Sequence, residues 1–369
     1  MMGRGTIWET IKFMCSSQFW RMGVLWTFHL FFSYFKLWFT QTLLPKSYQY
    51  PRHPRVTQNR KSLCIITGAT SGLGKEAARA LSREGFYVVL VHLVYAAGKS
   101  GDLLSKTIVE LKQKDPDAHV KAFQVDMSSF QSMLKFKSSL QQWLLDSDMH
   151  PSIQLLINNA GILATSHRFS AEGYDKMLGT NYVGAFVLTN LLLPLLKDSF
   201  VPSRVVNVSS FTHRCVSTIQ VIEETSFGKC SSLSKAYPCA EVYESTKFCL
   251  LLFSYELHRQ LWLVEGSSKV SILAADPGAV ATNIMRELPS HLSVLAITIL
   301  KVLGLLQSPE AGVNSIIDAA LAPPDISGEY FFGGSGRTIT SSKLSYDTKL
   351  GGKLWSSSCE LFLPTFASF

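Results

Sequence analysis

The chain has few charged residues and few cysteines for its length of 369 residues. Charged side chains make up 17% of it and apolar ones 47%, which excludes a disordered chain and provides for a sizeable core. The seven cysteines are scattered, without a CxxC pair or a Cys/His cluster. This spacing argues against a disulfide framework or a zinc site, so we expect no metal and a reducing compartment. The lack of a fixed-period repeat argues against a solenoid.

The net charge of +8 is concentrated at the N-terminus. Residues 1–61 hold nine Lys/Arg and one acidic residue, whereas residues 62–369 hold 26 of each sign. A neutral globular part lacks the basic surface that nucleic-acid binding requires. We therefore expect no nucleic-acid partner.

Residues 22–39 form an aromatic run, MGVLWTFHLFFSYFKLWF, that is almost free of charge. The run reaches the length of a membrane-spanning helix only if Lys36 is tolerated near one end. Polar residues recur at helical spacing and predict a narrow stripe of His29, Ser33, Lys36 and Thr40. The other faces carry Leu25, Phe28, Phe31, Phe32, Phe35 and Phe39. Such a helix could lie in the membrane interface, span with its stripe against a partner, or pack on the main domain.

Trp20, Trp26 and Trp38 fit an interfacial aromatic belt, and no small-residue cleavage site follows the apolar run. Basic residues after the run outnumber those before it, which favours a cytosolic main domain. We expect a membrane-associating helix within residues 1–44, in contact through residues 20–44. A Pro-rich basic linker over 45–60 and one domain over 61–369 follow. The expected location is a membrane, that of the endoplasmic reticulum as the first candidate, with the catalytic domain in the cytosol.

A glycine-rich turn over 67–74 follows an apolar strand over 62–67. An Ala-rich helix to Glu84 and a second strand over 86–91 come next. This order suits a dinucleotide site, because the glycines let backbone N–H groups approach a pyrophosphate at the helix N-terminus. A tight structural turn is the alternative explanation.

Strands and helices keep alternating downstream. We predict strands over 120–125, 153–157, 204–208, 270–274 and 330–332. Helices are predicted near 102–114, 128–146, 175–196, 241–263 and 309–321. Continuous apolar strands separated by helices indicate a parallel sheet covered on both faces. The predicted fold is a Rossmann-type doubly wound α/β domain with an N-terminal hydrophobic helix.

Tyr243 and Lys247 are spaced i and i+4 on a predicted helix, hence on one face. A phenol titrates at about pH 10, and a neighbouring ammonium lowers that pKa, so the pair could act as a general acid/base. Ser210 ends the fifth strand, where it could bind a substrate carbonyl or serve only a turn. Asn181 has low propensity for its helix interior, which indicates a role for its side chain. His213 is better explained as a loop or core histidine than as a third acid/base.

The motifs TGxxxGxG (67–74), NNAG (158–161), YxxxK (243–247) and PG with Thr282 occur in an order that resembles the short-chain dehydrogenase/reductase superfamily. The resemblance covers residues 60–360 and extends to the retinol-dehydrogenase-like branch, which includes lipid-active, membrane-anchored members. Further segments, such as AADPGAV and YELHRQL, resemble a plant member of that group.

This resemblance implies a set of catalytic roles. Tyr243 would exchange a proton with the substrate oxygen, and Ser210 would polarise the carbonyl. Lys247 would lower the pKa of Tyr243 and bind the nicotinamide ribose, and Asn181 would hold a water. The implied cofactor contacts also include Gly68, Thr70, Ser71, Gly72, Leu73, Gly74, Asp126 at the adenine, Asn159, Ala160, Gly161, Pro277, Gly278 and Thr282.

The second strand departs from the family pattern at His92. Relatives have a valine followed at once by a Gly-Arg pair, whereas six residues separate Val91 from Gly98 here. We therefore predict an insertion over 92–97, with Lys99 in the basic position. No acid follows the strand closely, which favours NADP over NAD. An insertion that displaces Lys99 would weaken binding of the adenosine half.

Our leading interpretation is a membrane-associated, NADP(H)-dependent oxidoreductase that interconverts a hydrophobic alcohol and its carbonyl. The alternative is a cofactor-binding regulatory or scaffold protein whose redox activity is lost or incidental. Residues 291–306 predict a short apolar helix that either packs over the active site or forms an entrance at the bilayer. The superfamily is often dimeric or tetrameric and an anchored member can be monomeric, so a homodimer stays open.

Overall fold

A central parallel sheet organises the fold in the computed structural model, which describes residues 11, 13–43, 49–53, 61–93, 100–147, 149–217, 237–265 and 269–362. Seven strands lie in the order β3-β2-β1-β4-β5-β6-β9, and all neighbours are parallel. They are β1 (Leu63–Thr67), β2 (Tyr87–Leu93), β3 (Val120–Val125), β4 (Leu155–Asn158), β5 (Ser203–Val208), β6 (Val270–Asp276) and β9 (Tyr330–Phe332). A separate parallel pair consists of β7 (Ala279–Val280) and β8 (Leu306–Gln307). The order reverses between β1 and β4, which is where doubly wound sheets bind their ligands.

Helices cover both faces of the sheet. In the described part of the chain they are α1 (Ser17–Trp20), α2 (Thr27–Leu43), α3 (Gly72–Arg83), α4 (Ser100–Lys114), α5 (Phe130–Asp146), α6 (Lys176–Leu178), α7 (Gly184–Lys197), α8 (Cys239–Glu265), α9 (Ser290–Val302), α10 (Pro309–Gly312), α11 (Asn314–Ala320) and α12 (Thr348–Phe362). Strand β1 contributes Leu63 and Ile65 to one apolar core and Cys64 and Ile66 to the other. Burial on both faces explains the continuous apolar strands, and the predicted Rossmann-type fold is confirmed.

Strand β2 is longer than the sequence pattern predicts. The predicted end was residue 91, but His92 and Leu93 continue the strand and pair with Gln124 and Val125 of β3. The strand continues because β3 offers two further partners in register. The first two residues of the predicted insertion therefore belong to the sheet, while residues 94–97 and Lys99 lie outside the described residues.

Two predicted helices are divided. The segment predicted over 175–196 contains a π-helical stretch, Gly179–Val183, between α6 and α7. The segment predicted over 309–321 consists of α10 and α11 with Val313 between them. Among the described residues, Lys176–Lys197 is the one helical stretch long and apolar enough to cross a membrane, and 83% of its apolar 18-residue window is buried. It is therefore a core element of the domain.

The N-terminal helix, residues 17–43, packs along the domain. It consists of α1, a π-helical stretch Arg21–Trp26, and α2. Leu30 and Leu37 are buried in an apolar cluster with Phe211 and Phe332. The predicted polar stripe faces the chain's own domain, since Ser33 accepts a hydrogen bond from Arg214 Nε and Lys36 Nζ donates to the Thr340 carbonyl.

The opposite side of this helix exposes large apolar side chains. Their exposed fractions range from 39% to 60%. They are Trp20, Val24, Leu25, Phe28, Phe31, Phe32, Phe35, Trp38, Phe39 and Leu43, and we call this set the outer aromatic face. Contiguous apolar surface of this kind marks an interaction site.

Candidate active site

The glycine turn between β1 and α3 is shaped by its backbone and by close packing. Gly68 and Gly72 have φ of +66° and +50°, a region that side chains with a Cβ rarely adopt. A Cβ on Gly74 would lie 2.3 Å from the Gly68 carbonyl oxygen, so this position has no room for one. A Cβ on Gly72 would lie 3.1 Å from Thr282 Cγ2. The turn therefore presents bare backbone at the N-terminus of α3, as an approaching pyrophosphate requires.

Hydrogen bonds join this turn to the end of β4. The Thr67 hydroxyl accepts from the backbone N–H groups of Asn159 and Ala160, each at 2.9 Å. The Asn159 amide donates in return to the Thr67 carbonyl at 2.9 Å. The ends of β1 and β4 are thus held together at the point where the strand order of the sheet reverses.

A cleft of about 400 Å³ runs from the glycine turn to the catalytic helix α8. Many of the sequence-predicted residues line it. They are Gly68, Thr70, Ser71, Gly72, Leu73, Asn159, Ala160, Gly161, Ser210, Tyr243, Lys247, Pro277, Gly278 and Thr282. Gly74, Asp126 and Asn181 are not among the lining residues. Lys99 lies outside the described residues.

Asp126 faces its own turn. Its Oδ1 accepts hydrogen bonds from the backbone N–H and the hydroxyl of Ser128, at 2.8 and 2.6 Å. Its backbone N–H donates to the Ser132 hydroxyl at 2.9 Å. These contacts shape the start of α5, and the adenine contact that the resemblance implies stays a prediction.

Tyr243 and Lys247 lie side by side on α8. The Lys247 Nζ is 5.9 Å from the centroid of the Tyr243 ring and donates a 2.8 Å hydrogen bond to the Val208 carbonyl. Burial lowers the pKa of Lys247 to about 8, partly offset by the Asp276 carboxylate, because a buried ammonium lacks water. Burial raises the pKa of Tyr243 and Asp276 raises it further, whereas its hydrogen bond with Ser210 lowers it. The Ser210 hydrogen bond is the cause that lowers this pKa, and the lowering by Lys247 stays a prediction.

Ser210 is held by the short helix that follows it, Phe211–Cys215. The Ser210 hydroxyl accepts from the Thr212 N–H at 3.3 Å, and the Ser210 carbonyl accepts from His213 Nδ1 at 2.6 Å. His213 is fully buried, and burial lowers its pKa well below the usual range. It is thus a core histidine, as the sequence suggested, and the structure adds that it contacts the Ser210 carbonyl. Residues 218–236 of the loop between Ser210 and Tyr243 lie outside the described residues.

Asn181 lies in the π-helical stretch Gly179–Val183. Its Oδ1 accepts from the Ile162 N–H at 2.8 Å, and its Nδ2 donates to the Ile162 carbonyl at 2.9 Å and to Thr246 Oγ1 at 3.1 Å. The side chain therefore ties the segment after Gly161 to the catalytic helix. π-helical turns are frequent at functional sites. The relay water that the resemblance implies stays a prediction.

Two residues that line the cleft are not among those predicted from the sequence. Trp26 was assigned to the interfacial belt, but it lines the cleft, with its ring centroid 5.5 Å from that of Tyr243. The helical spacing of Trp26 with Leu30, Ser33 and Leu37 is the signal that could have shown it facing the domain. His92 also lines the cleft, and its Nδ1 lies 2.6 Å from Thr70 Oγ1.

Comparison with known proteins matches residues 62–220 to the family described as short chain dehydrogenase. The human polyprenol dehydrogenase is 31% identical over 306 residues, covering 81% of this chain and 84% of the relative. The chain belongs to the short-chain dehydrogenase/reductase family. It is therefore an oxidoreductase of this family, in its retinol-dehydrogenase-like branch.

Two further similar proteins extend the comparison. The SDR family member FEY of Arabidopsis thaliana is 31% identical over 263 residues, covering 70% of this chain and 64% of the relative. A crystal structure of a putative uncharacterized protein from Mycobacterium paratuberculosis is 26% identical with a TM-score of 0.59. It covers 85% of this chain and 97% of that chain.

Proposed function

We propose that this family member interconverts a hydrophobic alcohol and its carbonyl with NADP(H), at a membrane surface. The observation that carries the proposal is that Tyr243, Ser210 and Lys247 lie at one end of a cleft that begins at the glycine turn. The names of its relatives, polyprenol dehydrogenase and retinol dehydrogenase 13, refer to hydrophobic alcohols.

The cleft suits a nicotinamide dinucleotide. The bare backbone of Gly68 and Gly72 would hold the pyrophosphate, and Lys247 would hold the nicotinamide ribose. A Cβ on Gly161 would lie 3.5 Å from Lys247 Nζ, an ordinary contact distance, so Gly161 borders the lysine that would hold the ribose. The bound nicotinamide supplies the hydride acceptor or donor.

The protein's own side chains handle the proton. Ser210 donates a hydrogen bond to the substrate oxygen and fixes it beside Tyr243. Tyr243 gives its hydroxyl proton to that oxygen in reduction and removes it in oxidation. The ammonium of Lys247 stabilises the phenolate in the second direction, because opposite charges favour each other in a buried site.

A hydrophobic substrate fits the rest of the cleft. Apolar side chains dominate its far wall, including Leu163, Ile284, Met285 and Leu300. Leu300 belongs to α9, whose other side exposes Val294 and Ile299. Helix α9 thus combines both sequence interpretations of residues 291–306, since it lines the cleft and also presents apolar surface.

NADP(H) is proposed over NAD(H) because no acid follows β2 closely in the sequence. The test is a fluorescence titration of the full chain with NADPH and with NADH. We expect the dissociation constant for NADPH to be at least about tenfold lower. Equal affinities would overturn the preference for NADP(H), and no binding of either would contradict the nicotinamide cofactor itself.

The reaction is tested with the NADPH-loaded full chain and a panel of aldehydes and ketones of increasing apolar surface. We expect kcat/KM to rise with apolar surface, as for a site lined by apolar side chains. Turnover of none of them by a protein that binds NADPH would contradict the oxidoreductase proposal.

We propose that the N-terminal helix lies flat in the membrane interface. Its inner side is occupied by the domain, so a spanning orientation would carry the domain surface into the bilayer. Its outer aromatic face remains to bury in lipid, and the excess of basic residues over 1–61 suits anionic headgroups. We place it at the cytosolic side of the endoplasmic reticulum.

Liposome flotation of the full chain tests this orientation. Replacing Phe28, Phe31 and Phe35 by serine should release the protein from vesicles of neutral and anionic lipid. The matched control is Leu145→Ser, since Leu145 is 67% exposed on α5 and remote in sequence from this face. Unchanged flotation of the triple variant would contradict the interfacial orientation, and imaging of the tagged chain checks the organelle.

A further inference from the structure

The N-terminal helix reaches the catalytic helix at Glu244, the residue after Tyr243. Arg21 Nη2 lies 2.7 Å from Glu244 Oε2, and Arg21 Nε lies 2.9 Å from both carboxylate oxygens. Trp26 Nε1 donates a 2.7 Å hydrogen bond to Glu244 Oε1. Three N–H groups from one turn of the N-terminal helix thus converge on one carboxylate of the catalytic motif.

Glu244 depends on these partners. Its side chain is 1% exposed, and a buried carboxylate without partners loses its hydration with nothing in return. Burial raises the pKa of Glu244, while the hydrogen bonds from Arg21 and Trp26 lower it. The contact therefore fixes Arg21 and Trp26 relative to α8.

Arg21 also holds the element that carries Ser210. Its Nη2 donates to the carbonyl of Cys215 at 3.3 Å, and Cys215 ends the short helix that Ser210 begins. One guanidinium therefore bridges the Ser210 side and the Tyr243 side of the site. The helix behaves as a structural part of the active site as well as a surface for lipid.

The hydrogen bond to Glu244 holds the Trp26 ring in place beside Tyr243. The Trp26 and Tyr243 rings are 5.5 Å apart at a tilt of 40°, and both line the cleft. A carbonyl compound placed beside the Tyr243 hydroxyl would therefore have the indole as one of its neighbours in the cleft. Because Glu244 Oε1 accepts a hydrogen bond from Nε1, the indole cannot turn aside without losing that bond to a buried carboxylate.

We propose that Trp26 is a specificity-determining wall of the substrate site, held by Glu244, and that it limits the bulk of the group beside the reacting carbonyl. This inference rests on the proposed function. Lining residues that admit or exclude single groups change substrate preference by about 10-fold to 200-fold. Replacing the indole by a methyl group should therefore change the preference between substrates of different bulk.

The experiment compares Trp26→Ala with Trp38→Ala in the full NADPH-loaded chain. Both tryptophans lie on the N-terminal helix, but Trp38 belongs to the outer aromatic face and is 60% exposed. The probes are benzaldehyde and 9-anthraldehyde, which differ in the bulk beside the carbonyl. We expect Trp26→Ala to raise the kcat/KM ratio of the bulky over the small aldehyde by about tenfold or more. Trp38→Ala should leave the ratio within twofold.

A second measurement is independent of turnover. NADPH bound in the cleft should quench the fluorescence of Trp26 by energy transfer, so Trp26→Phe should lose quenching that Trp38→Phe keeps. An unchanged aldehyde ratio in Trp26→Ala, with wild-type turnover intact, would overturn the role of Trp26 alone. Loss of both reactions in equal proportion would show a structural role and also overturn it. If NADPH quenches the fluorescence of Trp26 but the wild type turns over no carbonyl, the proposed function is overturned, and the substrate role of Trp26 with it.

Discussion

His213 donates a 2.6 Å hydrogen bond from Nδ1 to the backbone carbonyl of Ser210, and its Nε2 accepts from the Ser342 N–H at 3.2 Å. Both ring nitrogens are used, which fixes the neutral tautomer with the proton on Nδ1. The imidazole therefore links the segment before α12, at Ser342, to Ser210, the residue that should bind the substrate oxygen. It acts through Ser210 and is a positioning residue.

His213→Ala should lower kcat/KM by about 10-fold to 100-fold, because a small displacement of Ser210 is costly for a positioned hydrogen bond. His213→Asn should retain most of the activity, since its amide can replace the Nδ1 donor. The affinity for NADPH should stay the same in both variants. A third acid/base at this position would instead make Asn as damaging as Ala and would give the wild type a kinetic pKa in the ordinary histidine range.

Tyr243→Phe should reduce turnover by about 100-fold to 10,000-fold, the range for removal of a general acid/base. NADPH binding should change little, because the variant keeps the aromatic ring at position 243 and keeps Lys247. Single-turnover reduction of a carbonyl with the loaded protein is the measurement. Full activity in this variant would remove Tyr243 from the mechanism. A biological role that persists in the variant despite lost turnover would support the scaffold alternative.

The affinity for NADPH should fall as the pH rises above 8. The pKa of Lys247 is lowered to about 8, so its ammonium is present below this pH and loses its proton above it. Removing that charge weakens a charge-assisted hydrogen bond to the cofactor ribose. Titrations between pH 7 and pH 9.5 should show this slope, and Lys247→Met should bind weakly with no slope. An NADPH affinity of the wild type that stays constant over this pH range would contradict the assignment of Lys247 to the cofactor ribose.

Gly74→Ala should impair both stability and cofactor binding. The new Cβ would lie 2.3 Å from the Gly68 carbonyl oxygen, so the turn must shift. Such overpacking costs about 1–3 kcal/mol of unfolding free energy. Gly352→Ala is the matched control, because a Cβ there meets nothing within 4 Å and the residue lies in α12. Thermal unfolding and NADPH titration of both variants provide the test. Unchanged stability and NADPH affinity in Gly74→Ala would refute the close packing of Gly74 against the Gly68 carbonyl oxygen.

Local patterns were sufficient for the sheet and much of the cleft. The glycine turn and the strand ends at Asn159, Ser210 and Pro277 follow from residues adjacent in sequence. In a doubly wound sheet such strand ends meet at one edge. The YxxxK spacing likewise places Tyr243 and Lys247 on one helix face without knowledge of the rest of the fold.

The contacts that the sequence did not reveal join distant segments. Arg21 and Glu244 are 223 residues apart, and no periodicity identifies a basic residue near an aromatic run as the partner of one buried acid. The outer face of the same helix carries so many aromatic residues that Trp26 was grouped with them. The extension of β2 through His92 depends on pairing with β3, which a family pattern of strand ends cannot show.

Arg21→Met tests how far the N-terminal helix stabilises the catalytic helix. The variant removes the guanidinium from the buried Glu244 carboxylate and leaves the Trp26 indole N–H donating to it, and breaking a buried pair costs up to about 3–5 kcal/mol. Arg21 is 26% exposed, so solvent screens its charge, and we expect a smaller loss of about 1–3 kcal/mol. Chemical denaturation of the full chain in detergent measures it.

The double variant Arg21→Met/Glu244→Gln decides the cause of that loss. If the unpaired carboxylate destabilises Arg21→Met, removing its charge should restore part of the lost stability, because a neutral amide is less costly to bury. Lys36→Met is the control, since Lys36 contacts Thr340 from the same helix at a site away from α8. Additive losses from the two single substitutions would mean that Arg21 stabilises the protein independently of Glu244.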